Sequence, residues 1–328
     1  MRALVTGGNG FLGRYIVRDL LARGDDVSIY CRSSAPDLAA QGIMVHQGDL
    51  THYDQLVTAT KGQDVVFHVA ARVGLWGPQK EFVTTNIVGT QNVIEACRSN
   101  GVRRLVFTSS PSVVFGGTDL VHADESVPYP TRYTSYYPQT KAKAEALVIA
   151  ANGASLQTCS LRPHLVWGPG DNHLIPSIVE RARRGALLVV GDGKNVVDFT
   201  YVENVARAHV LAADNLFEHS PVAGQCYFIG QEEPVVLWEF VQNILDRLSI
   251  PAPRRHVSHR TARIIGSALE ALYRALPLPG EPRLTAFLAD QLATSHYFSS
   301  AKAKRDFGYT PHVSMSEGLD RLLASFQG

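Results

Sequence analysis

Tyr137 and Lys141 stand four residues apart in the run Tyr137-Pro138-Gln139-Thr140-Lys141. If a helix begins near Pro138, a residue suited to a first turn, the two side chains lie on one side of its start. A free phenol titrates near ~10 and is a poor base at neutral pH. An ammonium group beside it favours the phenolate and lowers that value. Such a pair can move a proton on and off an oxygen while the lysine also bonds the ribose of a redox coenzyme. The run Phe107-Thr108-Ser109-Ser110-Pro111-Ser112 adds hydroxyls after a strand-like segment. Ser110 can hold a substrate oxygen and stabilise its charge. Ser109 and Ser112 compete for that role, and serines after strands are often only turn formers. A tyrosine four residues before a lysine is common by chance, so the pair needs a coenzyme site to mean anything.

Thr6-Gly7-Gly8-Asn9-Gly10-Phe11-Leu12-Gly13 supplies one. Gly7, Gly10 and Gly13 lie between a strand pattern and an amphipathic helix pattern. There they let the backbone turn tightly and approach a pyrophosphate at a helix N-terminus. A tight turn with no ligand is the plain alternative. Folds that select NAD place an acid near the end of the second strand, where it binds the ribose 2′-hydroxyl. Here Ile29-Tyr30-Cys31-Arg32-Ser33-Ser34 contains none. Arg32 with two serines suits a 2′-phosphate, so NADP(H) is preferred, with NAD(H) as the alternative. Asp49, in Gly48-Asp49-Leu50, can accept a bond from the adenine amino group or serve only the turn.

The elements that position these residues alternate. Apolar runs at 3–5, 27–30, 44–46, 65–69, 105–108 and 157–161 read as strands. Helical patterns cover 12–23, 82–99 and 138–151, and the first stops at Gly24. This predicts an α/β fold, a Rossmann-like doubly wound parallel sheet. After about residue 166 the rhythm changes: Gly168-Pro169-Gly170 is a loop, 174–184 a helix, and Gly191-Asp192-Gly193 a turn. Residues 251–280 show no strand pattern and contain Pro251, Pro253, Pro277 and Pro279, with an amphipathic helix over 260–276. The expected division is a coenzyme domain, 1–165 with 196–232 returning to it, and a smaller C-terminal substrate lobe, 166–195 and 233–328.

The 328 residues are 45% hydrophobic and 19% charged, with a formal net charge of +1. That allows a sizeable core and excludes a global field for nucleic acid. Cys31, Cys97, Cys159 and Cys226 are scattered, which argues against a structural zinc and for a reduced, cytoplasmic setting. Met1-Arg2-Ala3-Leu4-Val5 already reads as a strand, not a cleaved leader. No apolar run reaches the ~18–20 residues a membrane span needs. Residues 254–263 hold Arg254, Arg255, His256, His259, Arg260 and Arg263 and no acid. They can attract a carboxylate substrate, a partner enzyme or an anionic lipid head, or form a solvated helix face. Ile264-Ile265, Leu269, Leu272-Tyr273 and Leu276 follow at helical spacing. Core or lid packing is the expectation for them, with peripheral membrane contact through 254–276 as the alternative. His256 and His259 can share a helix face, but without a third ligand no metal site is expected. Trp76 and Trp167 flank the loops expected to hold substrate.

Taken in order, the glycine loop, His68-Val69-Ala70-Ala71, Asn86-Ile87-Val88-Gly89-Thr90, Thr108-Ser109-Ser110, Tyr137 with Lys141, Leu161-Arg162-Pro163 and Trp167-Gly168-Pro169-Gly170 resemble the extended short-chain dehydrogenase/reductases over nearly the whole chain. Ser300-Ala301-Lys302 and Phe307-Gly308-Tyr309-Thr310-Pro311 match that family's tail. Thr108–Phe115 is similar to the 3β-hydroxysteroid dehydrogenase branch, and the Thr-Asp-Glu run of sugar 4,6-dehydratases is absent. Ala71-Arg72-Val73-Gly74-Leu75-Trp76-Gly77, residues 162–171, Gly280-Glu281-Pro282 and Leu288-Ala289-Asp290-Gln291-Leu292 are similar to bacterial reductases of 2-alkyl-3-oxoalkanoates in long-chain olefin biosynthesis. The resemblance implies an NADPH-dependent oxidoreductase acting on a bulky apolar ketone that carries a carboxylate. It implies Ser110, Tyr137 and Lys141 as catalytic residues. It places Gly7, Gly10, Phe11, Leu12, Gly13, Arg32, Asp49, Leu50, Ala70, Ala71, Asn86 and Pro163 on the coenzyme together with Tyr137 and Lys141. Residues 82–99 and 138–151 match the helices that pair in homodimeric relatives. Sterol-4α-carboxylate 3-dehydrogenases and steroid dehydrogenases are similar too. A nucleotide-sugar epimerase and a non-catalytic nucleotide sensor are the other readings, the last opposed by the intact Ser110, Tyr137 and Lys141.

Overall fold

The computed structural model describes residues 1–253, 255–276 and 278–326. Arg254 and Pro277, named above, lie outside the described residues. Seven strands form the main sheet: β1 (Arg2–Thr6), β2 (Asp26–Cys31), β3 (Met44–Gln47), β4 (Val65–His68), β5 (Arg104–Thr108), β6 (Gln157–Pro163) and β7 (Gln225–Ile229). Their order is β7-β6-β5-β4-β1-β2-β3. Every neighbouring pair is parallel. A parallel sheet must be covered on both faces, which is why the middle residues of β1, β4 and β5 are apolar on both sides. The covering helices include α1 (Phe11–Ala22), α2 (Tyr53–Thr60), α3 (Gly89–Ser99), α4 (Tyr136–Ala150) and α5 (Val202–Asn215).

Successive side chains of a strand point to opposite faces. Ala3 and Val5 accordingly join Ile16 and Leu20 of α1 and Ala208 and Ala212 of α5 in one core. Leu4 lies in the other, with Leu56 of α2, Val93 of α3 and Val148 of α4. The chain runs outward from β1 to β3, then returns to build β4 through β7 on the other side. This reversal opens a crevice beyond the carboxyl ends of β1 and β4, the place where such sheets bind ligands.

The later segments build a further apolar core around Trp167, Phe199, Phe240 and Ile244. Above it run α6 (His259–Ala275) and α7 (Ala286–Ala293). Three local expectations need correction. The helix carrying Tyr137 begins at Tyr136 after Ser135, so Pro138 is its third residue, still within the first turn where its missing N–H costs nothing. Residues 251–280 do contain a strand: His256–Val257 pairs with Val189–Val190. Two residues are too few to leave a periodic pattern. Ile264, Ile265, Leu272 and Leu276 are exposed rather than packed on the core or under a lid, because α6 turns Ala262, Gly266 and Glu270 inward instead.

Candidate active site

The glycine loop leaves β1 and enters α1. Gly7 has φ +69, and a Cβ there would lie 3.0 Å from the Ala70 backbone. A Cβ on Gly13 would lie 2.1 Å from the Gly7 carbonyl oxygen. Only glycine permits both approaches. Gly10 caps α1 without any side-chain bond to the first-turn N–H groups. Those donors and the open backbone fit a pyrophosphate. Phe11 and Leu12 begin that helix, with Phe11 packed edge-on against Tyr15 at 6.0 Å. Arg32 is exposed at the end of β2, where Asn9 Nδ2 donates to Ser33 Oγ at 3.1 Å. Asp49 Oδ1 accepts from the N–H and the hydroxyl of Thr51 at 2.9 and 2.8 Å. Burial pushes the Asp49 carboxyl up, but the Thr51 bonds and Arg32 outweigh it, and the net shift is downward. Leu50 is buried, its carbonyl held by Asn92. Ala70, followed by Ala71, continues from β4 and donates its N–H to Thr6 O at 3.1 Å. Pro163 ends β6.

Beyond β5, Ser110 caps the short turn Pro111–Val114 and accepts from Ser112 N at 3.2 Å and Ser112 Oγ at 2.9 Å. Burial raises the Tyr137 phenol above its ordinary value, an effect the neighbouring Ser110 hydroxyl opposes. Of the three competing serines, Ser110 is the one whose hydroxyl acts on the phenol's pKa. Ser109 is buried with its hydroxyl unpartnered. Lys141 is buried one turn along α4; its Nζ donates to Thr108 O at 2.5 Å and sits 4.0 Å above the Phe107 ring. Burial lowers its pKa to about 7, against a smaller opposing pull from Glu145. The expected lowering of the phenol by the ammonium is thus corrected: burial dominates Tyr137, and the lysine is directed at Thr108.

The parts beneath the site were less visible in sequence. Val83–Val88 forms a π-helical turn ahead of α3, a widening common at functional sites. It aims Asn86 at two elements at once. Asn86 Oδ1 accepts from Arg72 N at 2.7 Å, while Nδ2 donates to Arg72 O and to Thr140 Oγ1, each at 3.1 Å. Thr140 lies between Tyr137 and Lys141, so Asn86 ties α4 to the loop after β4. His68 is buried between Thr6 Oγ1 at 2.8 Å and Thr90 Oγ1 at 3.0 Å, and burial drives its pKa down to about 3. Thr90 gives its one proton to Asn86 O at 2.7 Å. It must then accept from His68 Nε2–H, which assigns the neutral tautomer from the network. Glu145, four residues past Lys141, is fully buried and bonds Arg162 at 2.6 Å, Ser160 at 2.7 Å and Tyr129 at 2.6 Å. The i, i+4 spacing from Lys141 was the available signal for it.

Several sequence candidates lie elsewhere. Trp167 is fully buried against Tyr201 and Phe240, a core residue. Trp76 packs on Tyr273 of α6 at 6.1 Å. His256 and His259 share no helix face: the first is in a strand, and the second bonds Asp290 at 2.7 Å. Among the described residues no group of three acids, histidines or cysteines could hold a metal, and no helix is long and apolar enough to cross a membrane.

Residues 4–258 match the model of the 3-beta hydroxysteroid dehydrogenase/isomerase family. The chain belongs to this family. It is an oxidoreductase acting on CH–OH groups with a nicotinamide dinucleotide. It is 47% identical to a 2-alkyl-3-oxoalkanoate reductase of Stenotrophomonas maltophilia, over 99% of both chains. It is 36% identical to the mouse sterol-4-alpha-carboxylate 3-dehydrogenase, over 99% of this chain and 91% of that one. Among solved structures it is similar to the UDP-glucose 4-epimerase of Thermus thermophilus in complex with NAD, with a TM-score of 0.75 and 26% identity over 100% and 99% of the two chains.

Proposed function

We propose that the chain reduces the 3-keto group of a bulky apolar 3-oxo acid, of the 2-alkyl-3-oxoalkanoate type, to the 3-hydroxy acid. The observation that carries this is the placement of Ser110 just after β5 and of Tyr137 in the first turn of α4, with Lys141 Nζ bonded to Thr108 O at the carboxyl end of the sheet. When bound, the dinucleotide supplies the hydride to the keto carbon. Tyr137 Oη gives its proton to the keto oxygen, and burial, which raises the phenol, keeps it in the protonated form that a reductase needs. Ser110 Oγ bonds the same oxygen and carries part of its developing charge. Lys141 bonds the ribose of the bound dinucleotide.

Arg32 selects NADPH through the 2′-phosphate, with Ser33 and Ser34 beside it. The similarity to the Stenotrophomonas maltophilia reductase supports the substrate class, and the similarity to the mouse dehydrogenase supports a sterol carboxylate as second reading. Two copies pair through α3 and α4. The face of α6 serves contact outside the chain. The test is NADPH oxidation against a long-chain 2-alkyl-3-keto acid, a 3-ketosteroid and a UDP-sugar. Turnover of the keto acid is expected to lead. Turnover of the UDP-sugar alone would replace this reading.

A further inference from the structure

We propose that the outward face of α6 docks the protein on an anionic membrane surface. The inward side of this helix is settled by packing. A Cβ on Gly266 would lie 2.6 Å from the Thr285 carbonyl carbon, and Glu270 Oε1 accepts from Ala286 N at 2.8 Å. At 100° per residue the opposite side carries Ile264, Ala268, Ala271, Leu272 and Ala275, with Thr261 among them and Ile265 at its edge. Ile264 is 60% exposed and Leu272 44%, and Leu276, just past the helix end, is 48% exposed. Among the described residues, five of the fourteen exposed large apolar side chains fall between 264 and 278, an apolar concentration on and just past this helix.

Charge decides the occupant. The single acid of α6 is Glu270, which faces inward. Arg260, Arg263 and Arg274 line one flank of the apolar face, with Arg255 just before the helix. Arg263 lies 3.6 Å from Asp290, and Arg274 pairs with Glu270. Among the described residues neither Arg255 nor Arg260 has an ion pair. An apolar face with a cationic edge and no outward acid fits the boundary between acyl chains and anionic headgroups. A second copy of α6 would set arginine against arginine and offers no acid to offset them.

Position adds to the argument. Tyr273 packs on Trp76 in the loop after β4, and Phe287 of α7 meets Phe115, after β5, at 5.9 Å. The α6–α7 pair thus covers the loops after β4 and β5, which carry Ala70 and Ser110. A bilayer against α6 lies beside the rim of the site, where an apolar ligand can pass without crossing water. The proposal stands apart from the substrate reading, because its test uses no substrate.

The full chain is sedimented with phosphatidylcholine vesicles, either pure or containing about a third phosphatidylglycerol. Binding to the anionic vesicles is expected, with weaker binding to the pure ones. Ile264→Asp with Leu272→Asp should lower the anionic partition at least about tenfold, and Arg260→Glu should lower it several-fold. The milder Ile264→Ser with Leu272→Ser, checked for unchanged thermal unfolding, guards against a folding defect. A wild-type protein that ignores anionic vesicles, or variants that bind as well as it does, would overturn the proposal. So would equal binding to both vesicle types. If the aspartate variant instead changes the oligomeric mass while wild type leaves vesicles alone, the face is a protein interface and the proposal fails.

Discussion

Tyr137 sits where burial and a hydroxyl neighbour compete, and burial prevails, so the phenol is held above its ordinary value; in the proposed reaction it serves as the proton donor. Removing only its oxygen should leave the fold and the dinucleotide loop untouched. Tyr137→Phe is expected to cut turnover by about 10²–10⁴-fold, with coenzyme affinity nearly unchanged by fluorescence titration. Turnover within about tenfold of wild type would remove the phenol from the reaction. Arg32→Ala should weaken NADPH far more than NADH; equal losses in the two Kd values would reverse the coenzyme preference. Lys141 makes a prediction about stability. Its pKa falls from 10.5 in the open chain to about 7 when folded. Between these values the unfolded chain binds more protons, so the fold gains stability as pH rises through that window and loses it as pH falls. Lys141→Met lacks this term. Relative to wild type, the variant should be most favoured near pH 7, with the gap closing toward pH 10 in urea midpoints. A gap that does not vary with pH would mean that the ammonium is not desolvated.

At the scale of elements, α4 must be held at a fixed height against β6, or Tyr137 and Lys141 miss the strand ends. Glu145 and Arg162 make that tie, with side chains 0% and 5% exposed. The guanidinium and the Ser160 and Tyr129 hydroxyls outweigh burial and hold the carboxyl below its usual range. Breaking a buried pair strands the remaining charge, at a cost of roughly 3–5 kcal/mol. Glu145→Gln should therefore destabilise the chain by about that much in urea unfolding. Glu145→Leu with Arg162→Met should cost less than the single change, since neither charge remains. A single change that costs no more than the double one would deny that α4 is anchored this way. The π turn at Val83–Val88 acts at the same scale. It lets one side chain, Asn86, fix both the loop after β4 and the first turns of α4.

At the scale of the molecule, two regions divide the labour. One is the sheet with its helices, which holds the loops around the site. The other lies beneath α6 and α7, which close over those loops from outside. The pairing proposed through α3 and α4 is checked by sedimentation equilibrium: a particle of twice the 35.8 kDa chain is expected, and a single species at the chain mass would set it aside. This pairing uses the helices on one face of the sheet and leaves the outer side of α6 to its own partner.

What the sequence determined by itself is whatever depends on spacing along the chain. Gly7, Gly10 and Gly13, the strand–helix alternation and the Tyr137–Lys141 interval are local, so a short stretch of residues carries each signal. The tertiary structure alone decided whatever sums contacts between distant segments. Thr6, His68 and Thr90 meet across three elements. The phenol moved up where the nearby ammonium alone predicts a move down, and the ammonium moved far below its free value, because burial is a property of everything around them. The direction in which α6 faces followed the same logic. Its periodicity announces two unlike sides, but only the close approach of Gly266 to Thr285 and the bond from Ala286 to Glu270 turn the isoleucines outward.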